Sequence, residues 1–560
     1  MRIAYGLSIR HDALFDLPQI DARLFWQEAV QVAQGAGAPA VFYRPPLLTY
    51  LLAFAHQVLG AGPGGARLFL LALSALAAPL ASRLARGVLG RTGGFVAGAV
   101  VALYAPGVFY GGELLPASTL VLTDLLVLLL LLRAEVSGRP LHYGAAGLAL
   151  GVSALGSPTI LLFLPLLLIR YRHIRGSALL VLAGTLLAIA PATLHNLAAG
   201  DFVLVSSNGG INFYLGNHEG ATGRSASSPE LPAEPGAAER TAVAIAERAA
   251  GRALAPSAVS NYWYRRGLAW IGGHPGDAAW LAVKKAYYAI HNEDLTDNID
   301  MRAMEEQSPI LRLLPVRFGL LFAFGLPGWF VLRRTRPGRL LLLYALAAAL
   351  PLVLFFVVGR FRLPLLPSLA TAAAAGAILI WKSLRTGLRR ALLPLLGVLL
   401  GLALSFSSFL GIKADHTWHY HYLKGLALSR AGDAPAAIAT YEESLRRNPR
   451  APGTMNALAY LYAEQGIALE RAEELADQAL QLEPQRRAHY LDTFGWVLYK
   501  RGDLERSAAA LTEAIELYAA GEETFKAEAL EHLALVRDAQ GNAAEAIWLR
   551  SEAARLRAGH

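Results

Sequence analysis

The sequence predicts an all-α protein in two parts, a polytopic helical membrane domain followed by an α-solenoid of short helical repeats. Three observations carry this. Apolar residues make up 55% of the 560 residues and charged residues 17%, where soluble globular chains hold about 45–50% and about 25%. Apolar runs on the scale of the roughly 20 residues that cross a bilayer follow one another from residue 66 to 411. From 412 onward the sequence turns charged and amphipathic, with an internal repeat. The chain has no cysteine, which excludes disulfides, thiol nucleophiles, Cys-ligated zinc and iron–sulfur clusters. Abundant apolar surface excludes disorder for most of its length.

The membrane part reads as spans at 66–88, 93–111, 116–134, 176–197, 314–332, 339–358, 364–381 and 391–411. Segment 141–170, broken at Gly156-Ser157-Pro158, makes two short crossings, for about ten in all. The connections carry five basic clusters: Arg83/Arg86/Arg91, Arg133/Arg139, Arg170/Arg172/Arg175, Arg333/Arg334/Arg336/Arg339 and Lys382/Arg385/Arg389/Arg390. With ten crossings all five fall on one side, which the positive-inside rule makes cytoplasmic. The net charge of +9 is therefore topology, and no nucleic-acid motif accompanies it. Residues 1–65, a tight turn at 111–116, a long loop at 198–313 and the repeats face the other side. Low Lys with high Arg, Ala and Gly points to a GC-rich bacterial genome, hence to an inner membrane with a periplasmic site. Placing 1–65 outside calls for a membrane helix upstream of Met1; the expectation is that the first helix is missing, with simple translocation of the N-terminus as the alternative.

The repeats lie within 415–560. Gly432, Gly466, Gly502 and Gly541 recur at spacings of 34, 36 and 39, each between an aromatic- or Leu-bearing helix and an Ala-rich one, and Pro449 and Pro484 close corresponding helices. This resembles the tetratricopeptide repeat, a helix pair of about 34 residues. Such stacks are binding surfaces, and a purely structural cap is the alternative.

The spans are nearly free of charge at their centres. Asp124 is the main exception, read as a satisfied or snorkelling carboxylate near a helix end. A transporter or lipid-linked glycan polymerase would need a polar path through the spans, which the sequence does not offer. Polar residues gather instead at the outer ends. There Asp21 opens an aromatic-rich helix, and Arg44 directly precedes Pro45-Pro46 and an apolar helix. Further along come "FYGGELLPASTL" (109–120), "GSPTILLFLPLLL" from Gly156, "NLAAGDFVLVSSNGGINFYLGNHEGATG" (196–223) and "GRFRLPLLP" (359–367). In this order the passages resemble the polyprenyl-phosphate-sugar-dependent membrane glycosyltransferases of the GT-C fold, whose relatives include the protein O-mannosyltransferases and the aminoarabinose transferase of lipid A. The resemblance covers about 20–410. It departs from the family at Ala22, where Glu is common, and at Ser157, where Arg is usual.

The resemblance implies transfer of a sugar from a polyprenyl phosphate donor, with inversion, to a protein or envelope-glycan acceptor. Membrane lipid and, through the repeats, the acceptor or another protein are the partners; nucleic acid is not. Asp21 stands at the acidic position and would be the general base; a helix N-cap is its other reading. Glu113, at the mouth between two spans, is a second catalytic candidate or a solvated loop residue; two such carboxylates could also hold a divalent cation, the one cofactor in view. Asp16 is read as solvated. Arg44 matches the basic position that contacts lipid phosphate. Arg360 and Arg362 sit where the positive-inside rule would not put them and would complete the phosphate site, headgroup contact being the alternative. Asn208, Asn212, Tyr214 and Asn217, among Gly209, Gly210 and Gly216, would recognise sugar hydroxyls; on composition alone they form an ordinary turn. His291 and Glu293, in "YYAIHNEDLTDNID", would line the cavity or belong to a charged surface segment. His416, His419 and His421 lack a clear fourth zinc ligand, and no metal is assigned. The rival reading is an inert envelope scaffold with a repeat-based docking surface.

Overall fold

The computed structural model describes residues 1–174, 176–225, 227–232, 235–412, 417–518 and 522–558, with only the backbone at Pro235 and Gln485. Arg175 of the third basic cluster and His416 of the histidine group lie outside the described residues. Helices dominate; the one β feature among the described residues is an isolated bridge between Tyr104 and Val316. The chain forms two compact units, residues 1–228 with 254–414, and residues 229–253 with 415–560.

The first unit is a multi-pass membrane domain. Six helical stretches are long and apolar enough to cross by themselves: Pro63–Leu103, Ala117–Ser137, Ser177–Ala198, Arg336–Leu354, Gly359–Thr386 and Leu388–Phe406. That is fewer than the ten expected. Pro63–Leu103 is a hairpin counted once: Gly90 takes φ 79° and ψ −171°, outside the helical region. Beyond it a β-carbon on Gly94 would lie 2.7 Å from the Ser82 carbonyl oxygen, and one on Gly98 3.2 Å from that of Ala78. The numbers run in opposite directions, so the two arms pack antiparallel around the turn. The helices Pro140–Gly156, Pro158–Tyr171 and Phe318–Leu332 lie where three further crossings were expected, and none is long and apolar enough to qualify alone.

Leucines face outward where lipid would lie. Leu392, Leu393, Leu396, Leu399 and Leu400 on Leu388–Phe406 are 49–79% exposed, an apolar stripe that a water-facing surface would not hold. Between helices, close approach comes through small residues: Gly147 and Gly151 against Val181 and Thr185, and Gly328 against Ala372 and Gly376. Asp124 is satisfied, not snorkelling. Its Oδ1 accepts the Ser153 hydroxyl at 2.6 Å, and its Oδ2 accepts the Tyr344 hydroxyl at 2.6 Å. Three helices are tied through one carboxylate.

In the second unit the helices pair as the glycine spacing requires: Thr417–Arg430 with Ala434–Arg447, Pro452–Gln465 with Leu469–Leu482, Arg487–Arg501 with Leu504–Leu517, and Glu523–Ala539 with Ala543–Ala558. The four glycines in the turns have φ of 82°, 64°, 87° and 81°. Asp433 and Asp503 cap the second helices of the first and third pairs. Tyr441, Leu458, Leu475 and Trp496 form one continuous core. This is a tetratricopeptide-like solenoid. His419 and His421 lie on its first helix beside Trp418 and Tyr420.

The loop expected as one piece over 198–313 is divided. Its helix Pro235–Ala250 belongs to the repeat unit. Ala237, Thr241, Ala242 and Ala246, spaced along one face, are at most 3% exposed. An isolated helix of this length is marginal in water, so its order depends on the repeats. Ending the chain after Ile412 is expected to abolish hydrogen-exchange protection over Ala237–Ala246 while the membrane helices keep theirs. Undiminished protection of 237–246 would contradict the grouping.

Candidate functional site

The site is built from the loop after the helix Pro275–Ile290 and from the turn Gly359–Leu365 that precedes the helix Leu366–Thr386. In that turn two arginines two residues apart take different directions. Arg362, 2% exposed, shapes the loop. Its Nη1 donates to the His291 carbonyl, and its Nη2 donates to the Glu293 carbonyl at 2.7 Å and to Asp294 Oδ1 at 3.4 Å. Its plane lies over the Phe318 ring, 4.6 Å from the centroid. Asp294 is fixed from the other side by the Tyr110 hydroxyl at 2.8 Å. Gly359 is required here, because a β-carbon would sit 1.7 Å from Asp294 Oδ1 and 2.7 Å from the Tyr110 oxygen. Burial pushes the Asp294 carboxyl up to about 6, against the opposing pull of Arg362 and Tyr110.

Arg360 reaches the other way. Its Nη2 lies 2.6 Å from Asp297 Oδ2 and 2.9 Å from Asp21 Oδ2. Asp21 Oδ2 also accepts the Asn298 side-chain amide at 3.2 Å. Two carboxylates thus share one guanidinium, and Arg360 Nε and Asn298 Oδ1 are buried without a hydrogen-bond partner. The carboxylates respond in opposite directions. Burial works to raise Asp21, but the Arg360 charge and hydrogen bond, the Asn298 amide and the Arg44 charge outweigh it and hold the carboxyl below its usual range. Burial raises Asp297, and the negative charge of Asp21 adds to that against Arg360. Of the two, Asp21 is the carboxylate whose ionised form the site favours.

Asp21 is not a cap. Gln19 stands at the N-cap of Ile20–Ala33, with no side-chain cap bond. The preceding Ile20 has φ 53°, a left-handed conformation that costs a β-branched residue of order 1–3 kcal/mol. Strain is therefore held next to the residue that meets Arg360.

Arg44 comes to the same helix. Its Nη1 pairs with Glu28 Oε1 at 2.7 Å, and Glu28 stands two turns along the helix face from Asp21. Segment 42–44 is pinned by backbone bonds from Ser207 N to Phe42 O at 3.0 Å and from Asn208 N to Tyr43 O at 3.2 Å. The Asn-Gly-Gly passage therefore abuts Arg44. Asn208 and Asn212 are partly exposed there.

Other candidates have different duties. Asn217 is buried; its amide donates to the Phe213 and Leu354 carbonyls at 2.8 and 2.7 Å, and its oxygen accepts Lys285 Nζ at 2.9 Å. Burial, helped by Lys284, lowers Lys285 to about 8. Tyr214 is buried among Trp263, His218 and Arg266. Both side chains brace the passage. His291 Nε2 meets the Ser407 carbonyl at 2.9 Å while its Nδ1 accepts the Glu293 N–H at 3.1 Å. That fixes a neutral ring with the proton on Nε2, and burial lowers its pKa further. Glu293 pairs with Arg302.

Glu113 is neither solvated nor beside Arg360. It forms an ion pair with Arg67 at 2.9 Å, with both side chains at most 4% exposed, and Arg67 also donates to the carbonyls of Phe15, Gly112 and Leu14. The second carboxylate of the cluster is Asp297, which sequence reasoning missed, together with Asn298. The only signal was the density of acids in "EDLTDNID". Among the described residues no group of three His, Asp or Glu side chains is placed to hold a metal ion.

Residues 43–195 match the family described as dolichyl-phosphate-mannose-protein mannosyltransferase. The match includes Arg44 and Glu113; Asp21, Asp297 and Arg360 lie outside it. No curated protein matches the chain. Among solved structures, the archaeal oligosaccharyltransferase AglB from Archaeoglobus fulgidus, in complex with an inhibitory peptide and a dolichol-phosphate, is 14% identical with a TM-score of 0.39, over 86% of this chain and 59% of that one. MamA from Desulfovibrio magneticus RS-1 is 16% identical with a TM-score of 0.22, over 33% of this chain and 94% of that one. Yeast Tom70 is 13% identical with a TM-score of 0.23, over 78% of this chain and 88% of that one. Likenesses this weak say nothing of activity.

Removing Glu113 leaves the Arg67 charge buried without its counter-charge. Glu113→Ala is expected to cost about 3–5 kcal/mol, read as a lower thermal midpoint of the membrane unit. An unchanged midpoint would show that the pair is not structural.

Proposed function

We propose that the chain is a membrane glycosyltransferase that takes a sugar from a polyprenyl phosphate and passes it to an acceptor hydroxyl on the periplasmic side of a bacterial inner membrane. The convergence of Asp21 and Asp297 on Arg360, at the end of a membrane helix, carries the reading. The family match over 43–195 supports it.

In the reaction the bond between the sugar's anomeric carbon and the phosphate oxygen breaks, and the acceptor oxygen bonds to that carbon. The electron pair of the broken bond leaves with the phosphate. The acceptor proton passes to Asp21. Arg360 and Arg44 are the cations for the departing phosphate, whose negative charge grows as the bond breaks. Arg362 positions: it holds the loop that carries Asp297 and Asn298, and it does not touch the donor.

The shared guanidinium gives the site an order of events. Without donor, Arg360 holds Asp21 below its usual range, where a carboxylate is a weak base. A donor phosphate competes for Arg360, loosens its pair with Asp21 and lets the carboxylate regain basicity as substrate arrives. Asp297 keeps Arg360 at the site during the exchange.

The test is sugar release from several polyprenyl phosphate sugars in membrane vesicles, comparing the chain with Asp21→Asn at matched expression. Asp21→Asn is expected to lose about 10²-fold or more, within the range for a general base. Turnover by the native chain should also fall at acid pH, as the carboxylate takes a proton. Equal turnover by both chains removes Asp21 from the mechanism; no turnover by either, across the donors, contradicts the transferase reading.

A further inference from the structure

Apart from the Arg360 cluster, the membrane unit contains an open cleft of about 480 Å³ that the proposed chemistry does not use. Its rim is aromatic. Trp270 and His274 stack with ring centroids 6.0 Å apart and planes 23° apart, and Trp280 is 48% exposed. Its polar lining includes two cations, Arg224 and Lys284, and two carboxylates, Glu219 and Asp277. Leu281 and Tyr288 form a buried floor.

The charged lining of the cleft balances, two cations against two carboxylates. Exposed flat rings beside evenly mixed donors and acceptors suit a ligand with an apolar C–H face and a rim of hydroxyls. A neutral pyranose has that form. An anionic lipid headgroup lacks the apolar face that the rings would cover.

Both walls of the cleft are connected along the chain to segments of the Arg360 cluster. Gly223, next to Arg224, accepts the Val357 N–H at 2.9 Å. Val357 is three residues before Arg360, which puts their α-carbons within about 11 Å. On the other wall Tyr288 lies in the last turn of the helix Pro275–Ile290, which runs into the loop carrying Asp294 and Asp297. The cleft is thus joined by short chain segments to the turn and the loop that carry the reacting groups.

We infer that this cleft binds a neutral saccharide, the carbohydrate part of the acceptor, by stacking on Trp280 and Trp270. Saccharide binding stands on the cleft alone; its being the acceptor rests on the transferase reading.

The experiment uses the full chain in lipid nanodiscs free of sugar detergent. Maltohexaose, cellohexaose, mannohexaose and chitotetraose are titrated and binding is followed by calorimetry. At least one is expected to bind. Trp280→Ala should weaken that binding about tenfold, within the range of aromatic contacts, and Trp280→Phe should restore most of it. Asp21→Asn should bind as the native chain does. Trp280 is exposed, so its loss does not threaten the fold. No binding of any of the four at about 10 mM overturns the inference, as does binding unchanged in Trp280→Ala. Quenching by brominated lipid that disappears in Trp280→Phe would place the ring in the bilayer and overturn it as well. Binding without donor turnover by the native chain would refute the transferase reading and leave the cleft standing.

Discussion

One guanidinium organises the site. Arg360 meets Asp21 across 339 residues of sequence and Asp297 across a loop with no helix of its own. Bringing three charges out of water is costly unless each is paired and hydrogen-bonded. The surroundings are arranged so that Arg360 has no other place to be. Arg362 and Tyr110 clamp Asp294, Gly359 makes room for it, and the loop then delivers Asp297 and Asn298 to Arg360. The strained Ile20 directly precedes Asp21, the partner from the first loop.

The membrane helices supply the frame for this arrangement. Their interiors are apolar and close-packed through small residues, and the one mid-span acid, Asp124, is tied to Ser153 and Tyr344. Charge is thereby kept to the helix ends, where the first loop, the Asn-Gly-Gly passage, the 291–300 segment and the Arg360 turn gather. The ion pair of Arg67 with Glu113 anchors the start of the chain to the turn at 110–113. Its contribution is to position the first loop rather than to act on substrate.

What the sequence reveals follows from the range of each interaction. Helices and repeats were legible because apolar runs and the glycine spacing are local: Gly432, Gly466, Gly502 and Gly541 stand in the turns where the interval puts them. The Gly90 hairpin was legible from the arginines beside it. Pairings across hundreds of residues were not. Arg360 and Arg362 look equivalent in "GRFRLP", yet the tight turn sends one to carboxylates at the site and the other to backbone carbonyls. Glu113 looked like a free acid because Arg67, which closes it off, lies in another helix. Asp297 and Asn298 looked like surface residues because only the fold aims them at Arg360. The move of Pro235–Ala250 to the repeat unit left no signal beyond a row of small residues.

The most direct test is a double-mutant cycle on donor turnover with Arg360→Gln, Asp21→Asn and the two combined. If one guanidinium both holds the phosphate and tunes the base, the residues act as a unit. The double variant should then be little worse than the poorer single one, as for catalytic groups that depend on each other. Losses that simply multiply would show that Asp21 and Arg360 act independently, and would contradict the account.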